Sequence, residues 1–506
     1  MVTVRSRSFL VGAIVALLLT FPRFSDAVPI RLIDVIPNIS SGESGQQSES
    51  SLAVNPTNAN QIVLQSGFTN YFSTANGGAA WSLFQNISNN DASLDWSPGG
   101  NTYTSVLTNA FSPPASISTF TSANPVTGSS FGLLGASVYT PTSNSNPQNN
   151  IPDQPWVVTT RVAGTDHIYV GFNDLSLFPG RTASVRASID NGLTWNNVVI
   201  ERVTPGAGQD GPPIRLAASS DGSMVYAAFL RWNSGSVPNF PGNVIIVRDD
   251  NGTLAFNALG INGVNASGNV TFPFSSTTGC PGAPTCLGAE RLGSGLAIAV
   301  DPNNGRKVFV AFDVVSGGST RTIVVRSLDG GLNWTQVFTT TVQSGIPALS
   351  VATNGTVGLL YTTFENGMLV THFLQTTNDF ATTQDEILSR FVSNNPVKAF
   401  DPYIGDFQDL QAIDNIFFGT FSASNNANGT LAVFPQGITF LRNFTGTPNQ
   451  PNFQLTNLAG GNVSASIDPF FFSEAAIAVP EPAALLLLSF GLLALAAETA
   501  KRSLRS

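Results

Sequence analysis

The sequence predicts an all-β fold, a β-propeller of seven blades (six is the alternative), each blade a four-stranded antiparallel sheet. Three observations carry this. A Ser-x-Asp-x-Gly-x-x-Trp segment occurs twice, at Ser188–Trp195 and Ser327–Trp334, and weaker copies bring the starts to about 74, 122, 188, 248, 327, 377 and 424, spaced 47 to 79 residues apart. Upstream of most copies lies one phrase: an apolar strand, a turn and a second apolar strand. No long amphipathic helical pattern appears between the two ends of the chain.

Composition agrees. Of 506 residues only 10% are charged while 42% are hydrophobic, with 47 Gly and 31 Pro, as many short strands and turns require. Net charge is −9, and Lys307 and Lys398 are the only lysines between the two terminal segments, so the body offers no basic patch and nucleic acid is excluded as a partner.

The strands read in order. Ser51–Val54 and Gln61–Gln65 flank Asn55-Pro56-Thr57-Asn58; Leu216–Ala218 and Met224–Phe229 flank Ser220-Asp221-Gly222; Leu296–Val300 and Val308–Phe312 flank Asp301–Gly305. Asn101–Leu107 and Ile117–Thr121 place the polar stretch 97–150 in the second blade. Ile30–Ile36 is the strand that can close the ring by joining the last blade.

The repeated segment has a physical reading. The acid (Asp190, Asp329) caps a hairpin turn beside Ser188 or Ser327. The glycine (Gly192, Gly331) takes positive φ, and the tryptophan (Trp195, Trp334) folds back as a buried plug. Thr74, Asn76, Gly78 and Trp81 fit with two conservative changes. Asp250-Asn251-Gly252 and Thr377-Asn378-Asp379 fit in part, and Ser122-Ala123-Asn124 and Ser424-Asn425-Asn426 are the weakest copies. This segment resembles the Asp-box, or BNR repeat, of sialidase-like propellers. That resemblance implies a substrate carboxylate held by three arginines. Here Arg31, Arg215 and Arg291 are the candidates, but Ile30-Arg31-Leu32 lacks the proline that follows the family's first arginine.

Both ends read as addresses. Residues 1–27 carry Arg5 and Arg7, an apolar run from Phe9 to Thr20 and the small-residue site Ser25-Asp26-Ala27, the grammar of a secretory signal. At the other end, Pro480-Glu481-Pro482 precedes an apolar run Ala483–Ala497 and the basic tail Lys501, Arg502 and Arg505. This order resembles the PEP-CTERM sorting signal of Gram-negative bacteria. It implies an exosortase-type partner, transient anchoring by a transmembrane helix, cleavage near the motif and release to the cell surface or extracellular matrix. The expected domains are 1–27 signal, 28–478 propeller and 479–506 sorting segment.

Chemistry is expected at the channel mouth, where the inner strands begin. Glu49, Asp91, Asp153, Arg215, Glu290, Arg291, Asp401 and Asp406 fall near such starts. Asp401-Pro402-Tyr403-Ile404-Gly405-Asp406 is the densest group, so Asp401, Tyr403 and Asp406, with Glu290 and Arg291 facing them, are the ligand-binding candidates. Two roles are open: a sugar or calcium site on oxygen ligands, or carboxylates that lock neighbouring blades. With only His167 and His372 in the chain, a histidine zinc site is excluded, and His167 reads as a surface turn residue. Cys280 and Cys286 are spaced for a disulfide across a Gly/Pro loop. The expected function is non-catalytic binding of exopolysaccharide or a surface protein; the alternative is a sialidase-like glycoside hydrolase or lyase.

Overall fold

The computed structural model describes residues 30–38, 45–87, 90–109, 115–141, 152–174, 182–201, 209–233, 239–256, 259, 263–274 and 286–478. Both expected address segments, 1–27 and 479–506, lie outside these residues. Among the described residues no helix is long and apolar enough to cross a membrane.

Seven antiparallel sheets follow one another along the chain. Blade 1 holds Ser51–Val54, Ile62–Ser66, Asn70–Thr74 and Ser82–Asn86. Blade 2 holds Ala92–Trp96, Thr102–Thr108, Ser116–Ser122 and Gly132–Leu133. Blade 3 holds Pro152–Val162, Thr165–Asp174, Ala183–Ser188 and Asn196–Val199. Blade 4 holds Gln209–Ala218, Met224–Trp232, Asn239–Asp250 and Val264–Asn265. Blade 5 holds Leu296–Asp301, Asn304–Ser316, Ser319–Ser327 and Thr335–Thr339. Blade 6 holds Ser344–Val351, Val357–Glu365, Met368–Thr376 and Gln384–Val392. In blade 7, Asp409–Ile413, Ile416–Ser424 and Ile467–Ala475 are completed by Arg31–Asp34 from the start of the body. The ring therefore closes with the N-terminal strand, as its position suggested.

The core is divided by blade. Seven buried apolar clusters sit one at each junction between neighbours, for example Tyr169, Ile214 and Phe229 between blades 3 and 4. Both faces of each sheet are covered, so adjacent residues serve different junctions: Leu296 packs toward blade 4 and Ala297 toward blade 6. Inner strands have no further strand beside them to satisfy their free backbone N–H groups. Neighbouring side chains do so instead: Ser51 accepts from Leu94 N (3.1 Å), Ser93 from Val157 N (2.8 Å) and Asp409 from Leu52 N (3.1 Å).

The boxes are turns between third and fourth strands. Ser188 donates to Asp190 (2.7 Å), Gly192 N to Ser188 (2.9 Å), Thr194 N to Asp190 (2.9 Å) and Trp195 Nε1 to the Gly192 carbonyl (3.0 Å). Ser327, Asp329, Gly331, Asn333 and Trp334 repeat this. Thr74, Asn76 and Gly78 do so in blade 1. Each glycine faces the preceding blade at positive φ; a Cβ on Gly78 would lie 2.2 Å from the Phe471 ring.

Four expectations need correction. Trp195 and Trp334 are half-buried, wedged against blades 2 and 4, and of the three box tryptophans Trp81 alone is buried. The blade 6 box starts at Thr376, with Asn378 as its cap and Phe380 at positive φ where the glycine stands elsewhere. Blades 2 and 4 cap their turns differently: Asn124 accepts from Val126 N, and Asp249, not Asp250, accepts from Ala255 N while Asp250 pairs with Arg248. Ser424 begins no box. Blade 7's third and fourth strands come from opposite ends of the body, so no single turn joins them.

Candidate functional site at the channel mouth

In an antiparallel four-stranded blade, the turn between strands 3 and 4 lies on the opposite face from the segment leading into the next inner strand. The boxes therefore occupy one face, and the residues preceding the inner strands gather on the other. On that second face Glu49, Asp91, Asp153, Asp406 and Glu290 surround Arg291 and Arg215. The sequence stations them on five different blade entries, and ring closure brings them together.

Local backbone shapes the group. The inner strand of blade 3 is bulged between Asp153 and Trp156 with Gln154 at φ +47°, and that of blade 6 between Gly345 and Ala348 with Ile346 at φ +58°. Glu49 sits at φ +61°. Left-handed backbone at a glutamate, a glutamine and a β-branched residue is costly and persists only where surroundings impose it. Gly405, at φ +116°, passes so close that a Cβ would lie 2.7 Å from Glu49 N.

Contacts link the members. Arg291 Nη2 donates to Asp406 Oδ2 at 2.6 Å. Gln154 donates to the same oxygen (3.2 Å) and to Ser294, and its carbonyl accepts from Arg215 Nη2 (2.9 Å). Asp406 N donates to Glu49 Oε1 (3.4 Å) and Gln154 N to Asp91 Oδ2 (3.3 Å). Asp91 and Asp153 are hydrogen-bonded side chain to side chain. Glu49 Oε2, Asp406 Oδ1, Arg215 Nη1 and Arg291 Nε are buried without a hydrogen-bond partner among the described residues.

Burial and like charge shape the protonation. Burial, with Asp91 and Asp406 nearby, pushes Glu49 and Asp153 well above the usual carboxylate range. Burial also raises Asp406, opposed by Arg291. Burial raises Glu290, whose Oε2 accepts from Ile404 N. Burial brings Arg215 down to about 10. For Arg291 burial works against the charge, but Asp406, Glu49 and Glu290 outweigh it and its pKa rises.

Beneath the acids, Arg215 lies over the Trp156 ring (4.5 Å) and near Phe407 (5.5 Å). Below that layer is a cavity of about 140 Å³, lined by the inner strands through residues such as Leu94, Ala297, Ala348 and Leu410. Asp95 and Asp409, at its wall, accept from blade 3 and blade 1 backbone and so lock neighbouring blades, although neither was among the carboxylates singled out in the sequence.

Three of the five ligand candidates, Asp406, Glu290 and Arg291, belong to the group. Two are spent elsewhere. Asp401 pairs with Lys398 (2.7 Å), and Tyr403 is a core residue whose hydroxyl donates to the Pro396 carbonyl. Of the three arginines that the sialidase resemblance implied, Arg215 and Arg291 meet, whereas Arg31 sits on the N-terminal strand of blade 7, between Ile467–Ala475 and Thr439–Phe440, bonded to the Gly77 carbonyl. Gln154, Ser294, Trp156 and Phe407 went unnoticed because neutral and aromatic residues carry no charge signal. His167 is buried beside Gly252 rather than on the surface. Cys286 is disulfide-bonded; Cys280, the other cysteine, lies outside the described residues. Among the described residues no three acids, histidines or cysteines converge to hold a metal ion, so the calcium expectation finds no cage here.

No protein-family model and no curated protein matches the sequence. Solved structures resemble it at low identity. A Dyadobacter fermentans protein of unknown function has 11% identity and a TM-score of 0.39, over 89% of this chain and 98% of that one. A Penicillium chrysogenum α-L-arabinanase has 10% and 0.41, over 71% and 97%. An ancestral GH74 enzyme has 14% and 0.45, over 84% and 50%. The fold rests on the strand topology, not on these similarities.

Proposed function

We propose that this chain is an exported surface or matrix propeller that binds a glycan at the channel mouth without cleaving it. The export part rests on the two terminal sequence patterns, and the sialidase-like, BNR-type reading of the body rests on the box turns. The binding part rests on one observation: carboxylate and guanidinium atoms of Glu49, Asp406, Arg215 and Arg291, members of one charged group at the channel mouth, are buried without partners among the described residues. Buried polar atoms without partners are expensive, and a hydroxyl-rich ligand supplies both donors and acceptors. The non-catalytic part is supported by two contacts. Glycosidases hold their two carboxyl groups roughly 5–10 Å apart, whereas Asp91 and Asp153 are in hydrogen-bond contact and Asp406 is tied to Arg291.

Hydrolysis is the second reading, favoured by Glu49, an acid that burial pushes well above the usual carboxylate range beside the half-exposed Asp91. Retention of the producing organism's exopolysaccharide by the purified chain, with reducing ends counted in parallel, tests both. Retention without new reducing ends is expected. Release of reducing ends supports the hydrolase, and loss of retention alone removes the binding reading.

A further inference from the structure

We propose that the channel mouth selects a glycan bearing a protonated primary amine, an amino sugar, over neutral or acidic glycans. This rests on the glycan reading above and narrows it. The first reason is the charge inventory. Glu49, Asp91, Asp153, Glu290 and Asp406 line the group against only Arg215 and Arg291, and burial with like charge holds Glu49 and Asp153 toward the neutral form, which a ligand cation would reverse. Arg291 already has Asp406 at 2.6 Å, and Arg215 already has the Gln154 carbonyl at 2.9 Å and the Trp156 ring at 4.5 Å. A ligand carboxylate would therefore add negative charge where acids already outnumber cations, beside guanidiniums that each hold an acceptor on one nitrogen. Arg31, the third arginine that the sialidase resemblance implied, is bonded to the Gly77 carbonyl of blade 1 instead.

The second reason is the unmet hydrogen bonding. Glu49 is 3% exposed and Asp406 8%, yet Glu49 Oε2 and Asp406 Oδ1 have no donor among the described residues. Asp406 N bonds the other Glu49 oxygen, and both side chains share Arg291 and Asp91 as charged neighbours, so the two acceptors belong to one group. Carboxylate acceptors are best met by a charged donor. Arg215 Nη1 and Arg291 Nε, also unpartnered, call for neutral oxygens nearby. An ammonium on the carbon beside a hydroxyl supplies that combination; an N-acetyl group removes the charge. An inorganic cation fits less well, because no three carboxylates converge at metal-ligand spacing among the described residues. The remaining charges close by, Lys398 and Asp401, neutralise each other at 2.7 Å.

The experiment is calorimetric titration of the purified chain at mildly acidic pH. The probes are a glucosamine hexamer, its fully N-acetylated counterpart, an oligogalacturonate and a lysine hexamer. The amine hexamer is expected to bind at least tenfold more tightly than the acetylated one, with no galacturonate binding. Glu49→Gln is expected to bring the affinities of the two hexamers to within about threefold of each other. If Glu49→Gln melts early, Asp153→Asn, at a half-exposed position, takes its place. Equal affinity for the two hexamers overturns the amine preference and leaves the glycan reading standing. Tighter binding of the lysine hexamer overturns it in favour of a protein ligand. Failure of every sugar probe and of the native exopolysaccharide removes the glycan reading with it.

Discussion

Arg291 Nη2 lies 2.6 Å from Asp406 Oδ2, across 115 residues of chain. The arginine comes from a two-stranded hairpin, Cys286–Leu287 against Glu290–Arg291, ahead of blade 5, and the aspartate from the entry to blade 7. The pair thus spans blade 6 and joins two sides of the ring. Both groups are largely buried, so each is the other's principal compensation for lost water. Arg291→Met should cost roughly 3–5 kcal/mol, the range for stranding one partner of a buried pair. Urea denaturation measures it, and an unchanged midpoint would mean that water already solvates Asp406.

The two kinds of tryptophan in the boxes should differ. Trp81 is 4% exposed and meets Phe471 at 5.2 Å, while Trp334 is half-buried. Trp81→Ala is expected to cost about 3–5 kcal/mol and Trp334→Ala about half as much, since a large aromatic loses in proportion to what it buries. Equal losses in chemical denaturation would contradict the packing described for blades 1 and 5.

Asp313 makes stability depend on pH. Burial pushes its carboxyl up to about 7, despite hydrogen bonds from Ile346 N and Thr322. The folded state therefore holds a proton that the unfolded chain releases near pH 4. The stabilisation is complete below about pH 4 and is lost as pH rises toward 7, at no more than about 1.4 kcal/mol per pH unit for this one group. Asp34, raised to about 7 by burial, acts in the same direction. Melting temperature should fall between pH 5 and pH 8, and Asp313→Asn should reduce that slope; a slope identical in the variant would exclude this group.

Cys286 starts the hairpin that carries Glu290 and Arg291. Reducing its disulfide should loosen that hairpin, costing about 2 kcal/mol or less for so short a loop and weakening glycan retention. Retention that is unaffected by reductant would show that Gln343, bonded to the Cys286 carbonyl, and Ser393, bonded to Ala289 N, suffice to hold it.

Surface-released protein should lack residues 1–27 and end near Pro480-Glu481-Pro482. Intact-mass measurement checks both ends, and a released species still carrying Ala483–Ala497 would count against the sorting reading.

The sequence by itself determined what depends on local chemistry. Turn residues and alternating apolar runs define the blades, Ser-x-Asp-x-Gly-x-x-Trp defines the boxes of blades 3 and 5, and charges that are scarce elsewhere mark the inner-strand entries. Ring closure by Arg31–Asp34 was legible because a lone apolar strand at the start of the body needs a sheet to join. Tertiary structure decided what depends on distant partners. Ser424 resembles a box start, but its blade takes its fourth strand from the other end of the body. Tyr403 and Asp406 stand three residues apart, yet one packs against Phe391 and the other faces Arg291. The direction each takes is imposed by blade 6 and by the hairpin ahead of blade 5, and no pattern within Asp401–Asp406 encodes those contacts. Gln154 becomes a bridge only because a bulge turns its backbone left-handed and brings Arg215, Ser294 and Asp406 around it. That convergence is a property of seven sheets closing on one axis, so it exists only once the ring is complete.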